Sequence, residues 1–209
     1  MDQNSIWSKR YSDAGKDYLF GTEPNRFLAR HEALLQKGDR AISIADGEGR
    51  NSVWLAGLGL KVTGVEISAV AIEKARHLAA ARKAEVEFIQ ADMLATSFPP
   101  TDLQGAFDWV IGIFIQFVGP QGRDRQFEVM KRLTRPGGHI LLLGYTPKQL
   151  EYGTGGPSAI ENLYTEDMLR AAFANWDIEE LVEYEDTIAE GTGHLGRSAL
   201  IGMVARKPV

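Results

Sequence analysis

The sequence predicts a doubly wound α/β domain whose sheet is mostly parallel. Short runs rich in Val, Ile and Leu alternate along the chain with longer amphipathic or Ala-rich stretches. Apolar strands of this kind are typical of a parallel sheet that is covered by helices on both faces. The length of 209 residues suits one such domain, and we expect residues 1–209 to form a single domain.

The first 39 residues are predicted to form a mainly helical cover that precedes the sheet. Pro24 suits the first turn of a helix, and apolar residues recur after it at helical spacing as far as Leu35. Residues 40–145 are predicted to alternate strand and helix. The expected strands are 40–45, 61–66, 86–90, 107–113 and 139–145, and the expected helices are 50–58, 69–82 (capped by Ser68) and 123–133.

The remaining residues, 146–209, are predicted to complete the sheet. A tight turn at 135–138 leads into the strand 139–145, and a loop over 146–162 then leads to a helix over 165–174. Two β-rich stretches follow, at 178–184 and 198–207, joined by a glycine-rich linker over 190–196. Two strands with a short connection can pair antiparallel, which predicts an antiparallel edge on the parallel sheet. The loop 145–157 is explained equally well as a lid and as a flexible surface loop.

Composition and charge exclude several kinds of site and partner. The chain has no cysteine, which excludes disulfides, thiol nucleophiles and cysteine-ligated zinc. Its four histidines lack a metal-ligand spacing, so we expect no metal. The formal net charge is −5 and no basic cluster is present, which disfavours a nucleic-acid substrate. The start of the chain lacks the apolar core of a signal peptide, and no run of 18 apolar residues occurs, so we expect a cytoplasmic protein without a membrane partner.

The segment after the first predicted strand carries the first sign of a ligand site. It contains two glycines, which allow a sharp turn and close approach of the backbone to a ligand. In doubly wound sheets, ligands bind at the carboxyl ends of the strands. A structural turn would also explain a glycine pair taken alone. The residues of this segment are Ala45, Asp46, Gly47, Glu48, Gly49, Arg50 and Asn51.

Acidic side chains follow the next two predicted strands. Glu66 ends the second strand, 17 residues after Gly49, and an acid at this position can accept hydrogen bonds from two ribose hydroxyls. Asp92 follows the third strand, where a carboxylate can accept a hydrogen bond from an adenine amino group, with Met93 against the ring. Taken singly, each acid is explained equally well as an exposed strand end or a loop cap.

Two further features follow along the chain: Asp108 lies near the start of the fourth strand, and the turn 135–138 precedes the fifth. Together, these five motifs and their order along the chain resemble those of class I S-adenosylmethionine-dependent methyltransferases. The resemblance covers about residues 40–145 and implies a Rossmann-like sheet of seven strands in which the last strand is antiparallel. Residues 18–28 and the segment 47–51 are similar to the tellurite-resistance and thiopurine-type branch. In that branch a short N-terminal segment helps to cover the cofactor.

The resemblance implies S-adenosyl-L-methionine as the cofactor. The sequence departs from the class pattern at Ser43, where an acid is usual, and at Ala45, where the first glycine is usual. Asp46 and Glu48 place two acids in the loop instead, toward the sulfonium or the amino end of the methionyl group. The implied cofactor-binding residues are Ala45, Asp46, Gly47, Glu48, Gly49, Asn51, Glu66, Ile67, Asp92, Met93, Gly112 and Phe114.

The expected function is methyl transfer to a small-molecule acceptor by direct in-line displacement. Little chain remains for a separate acceptor domain, and without cysteine no thiol on the protein can carry the methyl group. No catalytic base is assigned, and His194 is also explained as the surface tip of a hairpin. The catalytic candidates are His194, Glu190, Gln116 and Tyr145.

Two other functions remain open at this point. A non-catalytic, S-adenosylmethionine-binding regulatory module would explain the absence of an assigned base and the atypical Ser43 and Ala45. An NAD-dependent dehydrogenase is less favoured because Ser52 stands where the dinucleotide-binding motif has a small Gly or Ala. We expect a monomer or a homodimer whose partner is a small-molecule substrate.

Overall fold

The computed structural model describes residues 2–209, and seven of its strands pair into one sheet. The order across the sheet is third, second, first, fourth, fifth, seventh, sixth. The seventh strand runs antiparallel to both of its neighbours, and all other pairs are parallel. The predicted seven strands and antiparallel edge are therefore confirmed. The strands are β1 (Arg40–Ile44), β2 (Lys61–Glu66), β3 (Val86–Gln90), β4 (Phe107–Ile113), β5 (Thr134–Tyr145), β6 (Asp177–Glu190) and β7 (His194–Arg206).

Four of the helices follow a residue whose side chain accepts from a free backbone N–H group. Ser68 accepts a hydrogen bond from the backbone of Ala71 at 3.3 Å, as its predicted capping role requires. Asp2, Asn25 and Thr165 cap three other helices in the same way. The helices are α1 (Gln3–Asp13), α2 (Arg26–Arg30), α3 (Arg50–Gly57), α4 (Ala69–Arg82), α5 (Pro120–Leu133), α6 (Gln149–Tyr152) and α7 (Glu166–Ala172).

Helices cover both faces of the sheet. Alternate residues of a strand point to opposite faces, and in β5 they belong to two different buried clusters. Ile140 shares its cluster with Phe127 of α5, whereas Leu141 shares the other with Leu55 of α3. Burial on both sides explains why the central strands are continuous apolar runs. Within residues 2–209, no helix combines the length and apolar character needed to cross a membrane.

Three predicted boundaries were wrong. The expected helix over 24–35 breaks, because α2 ends at Arg30 and a 3₁₀ turn follows at Glu32–Leu34. The expected tight turn at 135–138 belongs to β5, where the N–H of Gly137 donates to the Lys207 carbonyl at 3.0 Å. The pairing of β4 with β5 shifts register beside this segment, so a strand irregularity produced the sequence signature of a turn.

The third difference concerns the glycine-rich linker over 190–196. Strand pairing of β6 with β7 continues to Glu190 opposite His194, so only residues 191–193 connect the two strands. Glycines at 193 and 196 lower the strand propensity that can be read from the sequence. In the folded chain, pairing with the partner strand and contact with the N-terminal cover hold this segment in place. The Gly193 N–H donates to the Leu19 carbonyl at 2.9 Å, which attaches the tip of the hairpin to the N-terminal cover.

Candidate functional site

A cavity of about 250 Å³ lies at the carboxyl ends of the parallel strands. Residues directly after β1, β2, β3 and β4 form its floor, as expected for a ligand site of a doubly wound sheet. The N-terminal cover and the β6–β7 hairpin supply its other walls. The predicted cofactor residues that line it are Ala45, Asp46, Gly47, Asn51, Glu66, Ile67, Asp92, Met93 and Phe114.

The other three predicted cofactor residues do not line the cavity and make structural contacts instead. Glu48 is buried and accepts a hydrogen bond from Lys74 Nζ at 2.9 Å. Gly49 has φ +85°, and a Cβ at this position would lie 2.7 Å from the Cβ of Ala75, so its glycine allows α3 and α4 to pack closely. A Cβ on Gly112 would lie 2.9 Å from the Cε of Met130 in the core.

The carboxylate of Glu66 is held by the backbone at the edge of the cavity. Its Oε2 accepts from the Gly47 N–H at 3.0 Å, and its Oε1 accepts from the Ser68 N–H at 2.9 Å. Burial raises the pKa of this carboxyl, and the two backbone donors oppose that effect. Each oxygen has a second lone pair, so the carboxylate can still accept from a ligand.

Asp46 has one satisfied and one unsatisfied oxygen. Its Oδ2 accepts from Ser52 Oγ at 2.5 Å, whereas its Oδ1 is buried and has no hydrogen-bond partner within residues 2–209. Burial raises the pKa of Asp46 to about 6. Because buried polar atoms almost always have a partner, the free oxygen marks a place where a ligand donor would be stabilised.

Asp92, the third predicted acid, is exposed, and its Oδ1 accepts from the Leu94 N–H at 2.8 Å. This bond is the loop cap that the sequence offered as the alternative explanation. Asp92 still borders the cavity beside the buried Met93. Its local capping contact and a ligand contact are therefore compatible.

Two residues other than glycine on the cavity floor have left-handed backbone conformations. Ala45, after β1, has φ +48°, and Phe114, after β4, has φ +55°. Such conformations are unfavourable for residues with a Cβ and tend to occur at functional sites, where the surrounding structure enforces them. At these two positions the chain turns directly beneath the cavity.

The lining of the cavity also contains a cluster of aromatic rings around His194. The Oη of Tyr145 is 2.7 Å from Nδ1 of His194, and the His194 ring lies 4.6 Å from that of Phe20 and 4.4 Å from that of Phe114. Burial lowers the pKa of His194 to about 3, with a smaller contribution from two arginines. Burial also raises the pKa of the Tyr145 phenol. Both groups are therefore uncharged at neutral pH.

The remaining catalytic candidates are occupied by structural hydrogen bonds. Gln116 lines the cavity, but its Oε1 accepts from the Tyr145 N–H at 2.6 Å and its Nε2 donates to the carbonyls of Tyr145 and Asn162. Glu190 does not line the cavity and forms a buried ion pair with Arg50 at 2.7 Å. Gln116 thus holds the end of β5 against the following loop, and Glu190 holds Arg50.

The N-terminal cover places at the cavity several side chains that were not predicted to bind there. In α1, Trp7 and Tyr11 are four residues apart and stack with ring centroids 5.9 Å apart. That spacing was the available signal, because positions i and i+4 share one helix face. The hydroxyl of Tyr11 lies over the glycine turn, 2.9 Å from where a Cβ on Gly47 would be. The lining residues outside the predicted cofactor-binding and catalytic sets include Gln3, Trp7, Arg10, Tyr11, Phe20, Ser43, Arg50 and Phe117.

The central part of this chain is similar to a known protein family. Residues 41–138 match the family model described as a methyltransferase domain. A demethylmenaquinone methyltransferase from Thermus thermophilus is 31% identical over 117 residues, which cover 55% of this chain and 51% of that protein. The chain spans about half the length of the curated relatives that it matches.

Solved structures share the fold of this chain over nearly its whole length. One solved structure has a TM-score of 0.80 at 22% identity, and the match covers 99% of this chain and 92% of that chain. It is described as "Conversion of a Disulfide Bond into a Thioacetal Group during Echinomycin Biosynthesis". TehB from Haemophilus influenzae has a TM-score of 0.70 at 18% identity and covers 98% of this chain and 66% of its own. The family match and these shared folds confirm the predicted resemblance to class I methyltransferases.

Proposed function

We propose that this protein transfers a methyl group from S-adenosyl-L-methionine to a small-molecule acceptor by direct in-line displacement. The observation that carries the proposal is one cavity whose lining combines two kinds of side chain. Acids at the ends of β1, β2 and β3 border it, and so do several aromatic side chains. The acids suit a polar nucleotide cofactor, and the aromatic side chains suit an apolar or aromatic acceptor.

The acidic residues at the cavity suit the polar groups of the cofactor. Glu66 would accept from the ribose hydroxyls, and Asp92 would accept from the adenine amino group beside Met93. The partnerless Oδ1 of Asp46 would accept from the methionyl ammonium group, which would also stabilise the ionised carboxylate. When bound, the cofactor supplies a methyl group that is already activated by its sulfonium.

The cavity volume and the aromatic side chains limit the acceptor by size and polarity. The whole cavity has a volume of about 250 Å³, so an acceptor has to be small to share it with the methionyl end of the cofactor. Trp7, Phe20, Phe114 and Phe117 provide apolar surface, and Arg10 lies over the Trp7 ring at 4.5 Å. A small molecule with an apolar or planar body suits these walls better than a macromolecular surface.

The titratable side chains beside the aromatic cluster, His194 and Tyr145, supply no strong base. A His194 imidazole with a pKa near 3 is a weak proton acceptor at neutral pH, and the Tyr145 phenol stays protonated. We infer that the nucleophile arrives with its reactive lone pair free. Correct alignment alone can supply about 7–11 kcal/mol of a barrier. The residues of this chain would then act by orienting the acceptor and excluding water.

A binding measurement followed by an acceptor screen tests the proposal. Calorimetry with S-adenosylhomocysteine should show binding, and a panel of thiols, chalcogen oxyanions, amines and phenols should include an acceptor that drives release of S-adenosylhomocysteine. Binding without turnover of any acceptor would favour the regulatory module. Binding of NAD in place of S-adenosylhomocysteine would favour the dehydrogenase, although the antiparallel β7 between β5 and β6 differs from the usual dinucleotide-binding sheet.

A further inference from the structure

Arg50 combines burial, charge and an unused donor beside the cavity. Its side chain is 7% exposed, and its Nη2 donates to Glu190 Oε2 at 2.7 Å. Its Nη1 is also buried but has no hydrogen-bond partner within residues 2–209. A guanidinium carries its donors in a fixed fork, so holding one nitrogen also fixes the direction of the other. Arg50 borders the cavity, and an unpaired buried donor there indicates a missing anionic partner.

Glu190 is itself fixed by a third residue. Its Oε1 accepts from Asn25 Nδ2 at 2.9 Å, and Asn25 in turn caps α2 and donates its backbone N–H to Asn51 Oδ1 at 2.9 Å. Each of these side chains is buried. The hairpin residue Glu190 and the cover residue Asn25 therefore hold one side of Arg50 in place and leave the other side free.

We propose that Arg50 binds the α-carboxylate of the methionyl group through Nη1, and that Glu190 is a positioning residue that orients Arg50 for this contact. This inference rests on the proposed function. It is supported by the neighbouring Asp46, whose charge interacts with Arg50 and whose Oδ1 is equally unpaired. An unsatisfied anion and an unsatisfied cation on one wall match the two charges of an α-amino acid. A carboxylate on the acceptor could use the same Arg50 donor, so the test has to separate the two sources.

Calorimetry with three probes makes this separation. S-adenosylhomocysteine carries both the ammonium and the carboxylate, S-adenosyl-3-thiopropylamine lacks only the carboxylate, and 5′-methylthioadenosine lacks both. Arg50→Gln should weaken binding of S-adenosylhomocysteine by about 10- to 100-fold, as expected when a charged hydrogen bond is lost. It should leave the affinities for the other two probes within about twofold of the unmodified protein.

Glu190→Gln should show the same selectivity with a smaller loss, because an amide oxygen still accepts from Arg50 but pairs with it more weakly. Arg50→Lys keeps the charge, loses the fork and should give an intermediate loss. Arg135→Gln is the matched control, since it breaks an ion pair with Asp108 near the opposite end of β4. This control should change none of the three affinities.

Three results would overturn the inference. Equal weakening of all three probes by Arg50→Gln, or by Arg50→Lys if the first variant fails to fold, would mean that Arg50 only supports the structure. An unchanged affinity for S-adenosylhomocysteine, together with a raised KM for a carboxylate-bearing acceptor, would assign Arg50 to the acceptor. An unchanged affinity with an unchanged KM would leave Arg50 no role in binding. If the unmodified protein binds none of the probes, the proposed function fails first.

Discussion

The side chain of Glu66 illustrates how the backbone prepares a carboxylate for a ligand. Two N–H groups, from Gly47 and Ser68, fix its two oxygens, although burial by itself disfavours its charge. Asp46 is held on one oxygen only, and Arg50 on one of its two terminal nitrogens. At the scale of single residues, Glu66, Asp46 and Arg50 are thus charged groups at the cavity that retain unused hydrogen-bonding capacity.

Glu66→Gln should weaken binding of S-adenosylhomocysteine by roughly 1–3 kcal/mol, because it replaces a charged acceptor of ribose hydroxyls with a neutral amide of the same shape. Calorimetry measures the change. Glu87→Gln, an exposed position on β3, is the matched control and should leave affinity unchanged. Equal affinities of the Glu66 variant and the unmodified protein would contradict the placement of the ribose.

His194 should make stability depend on pH in a defined direction. Its pKa is about 3 in the folded protein, below its ordinary value of 6.5, so the unfolded chain binds more protons between these values. The stability that this group contributes is therefore present above pH 6.5 and is lost as pH falls toward 3. Between pH 7.5 and 4.5 the unmodified protein should lose about 2 kcal/mol more than His194→Gln.

Urea denaturation of the two proteins at both pH values measures this difference. Comparing the two proteins also removes the contribution of Asp46, which has the opposite sign. Because the pKa of Asp46 is raised to about 6 in the folded protein, the stability that this group contributes increases as pH falls. NMR of the His194 ring provides a direct check, with the exposed His77 as an internal reference. A ring that becomes protonated above pH 6 would show that His194 is not in the buried environment described.

At the scale of elements, the cover and the hairpin act together as a wall of the cavity. The Phe20 ring stacks on His194, and Leu19 accepts the N–H of Gly193. On the other side, Lys74 of α4 donates to the carbonyls of Tyr11 and Asp17 as well as to Glu48. Hydrogen bonds thus attach the cover to the β6–β7 hairpin on one side and to α4 on the other.

Close packing of α3 on α4 should depend on Gly49. Gly49→Ala should reduce the free energy of unfolding by about 1–3 kcal/mol, because its φ of +85° is unfavourable for alanine and the new Cβ would overlap Ala75. Gly57→Ala is the control in the same helix, since a Cβ there meets nothing within 4 Å, and it should be neutral or stabilising by up to about 1 kcal/mol. Urea denaturation of both variants measures the effects, and similar losses in the two would contradict this account.

At the scale of the whole molecule, cover, strand ends and hairpin meet only in the folded state. A ligand that requires all three should therefore stabilise the fold. With S-adenosylhomocysteine at about 100 times its Kd, the free energy of unfolding should rise by about 2.7 kcal/mol and Tm by roughly 5–11 °C. Thermal denaturation measures the shift, with NAD at the same concentration as the control. A larger shift with NAD would contradict the proposed cofactor.

The sequence predicted the sheet and the order of its motifs because those signals are local. An apolar run of five to seven residues such as β4, or a helix cap such as Ser68, can be recognised from the residues next to it in the sequence. Asp46 and Glu66 could be predicted as ligand-binding candidates for a similar reason. The end of each strand can be located from the sequence, and ligands of doubly wound sheets bind at the carboxyl ends of the strands. These features could be predicted without knowing what packs against them.

Only the tertiary structure decided which side chains share the cavity and which are occupied elsewhere. The continuation of β6 and β7 through their glycines depends on pairing between strands, and the ion pair of Arg50 with Glu190 joins residues 140 positions apart. The separate roles of Glu48, Gly49 and Gln116 likewise depend on contacts with distant segments. Sequence patterns report local backbone preference and periodicity, whereas burial, pKa and hydrogen-bond satisfaction arise when distant residues exclude water from one another.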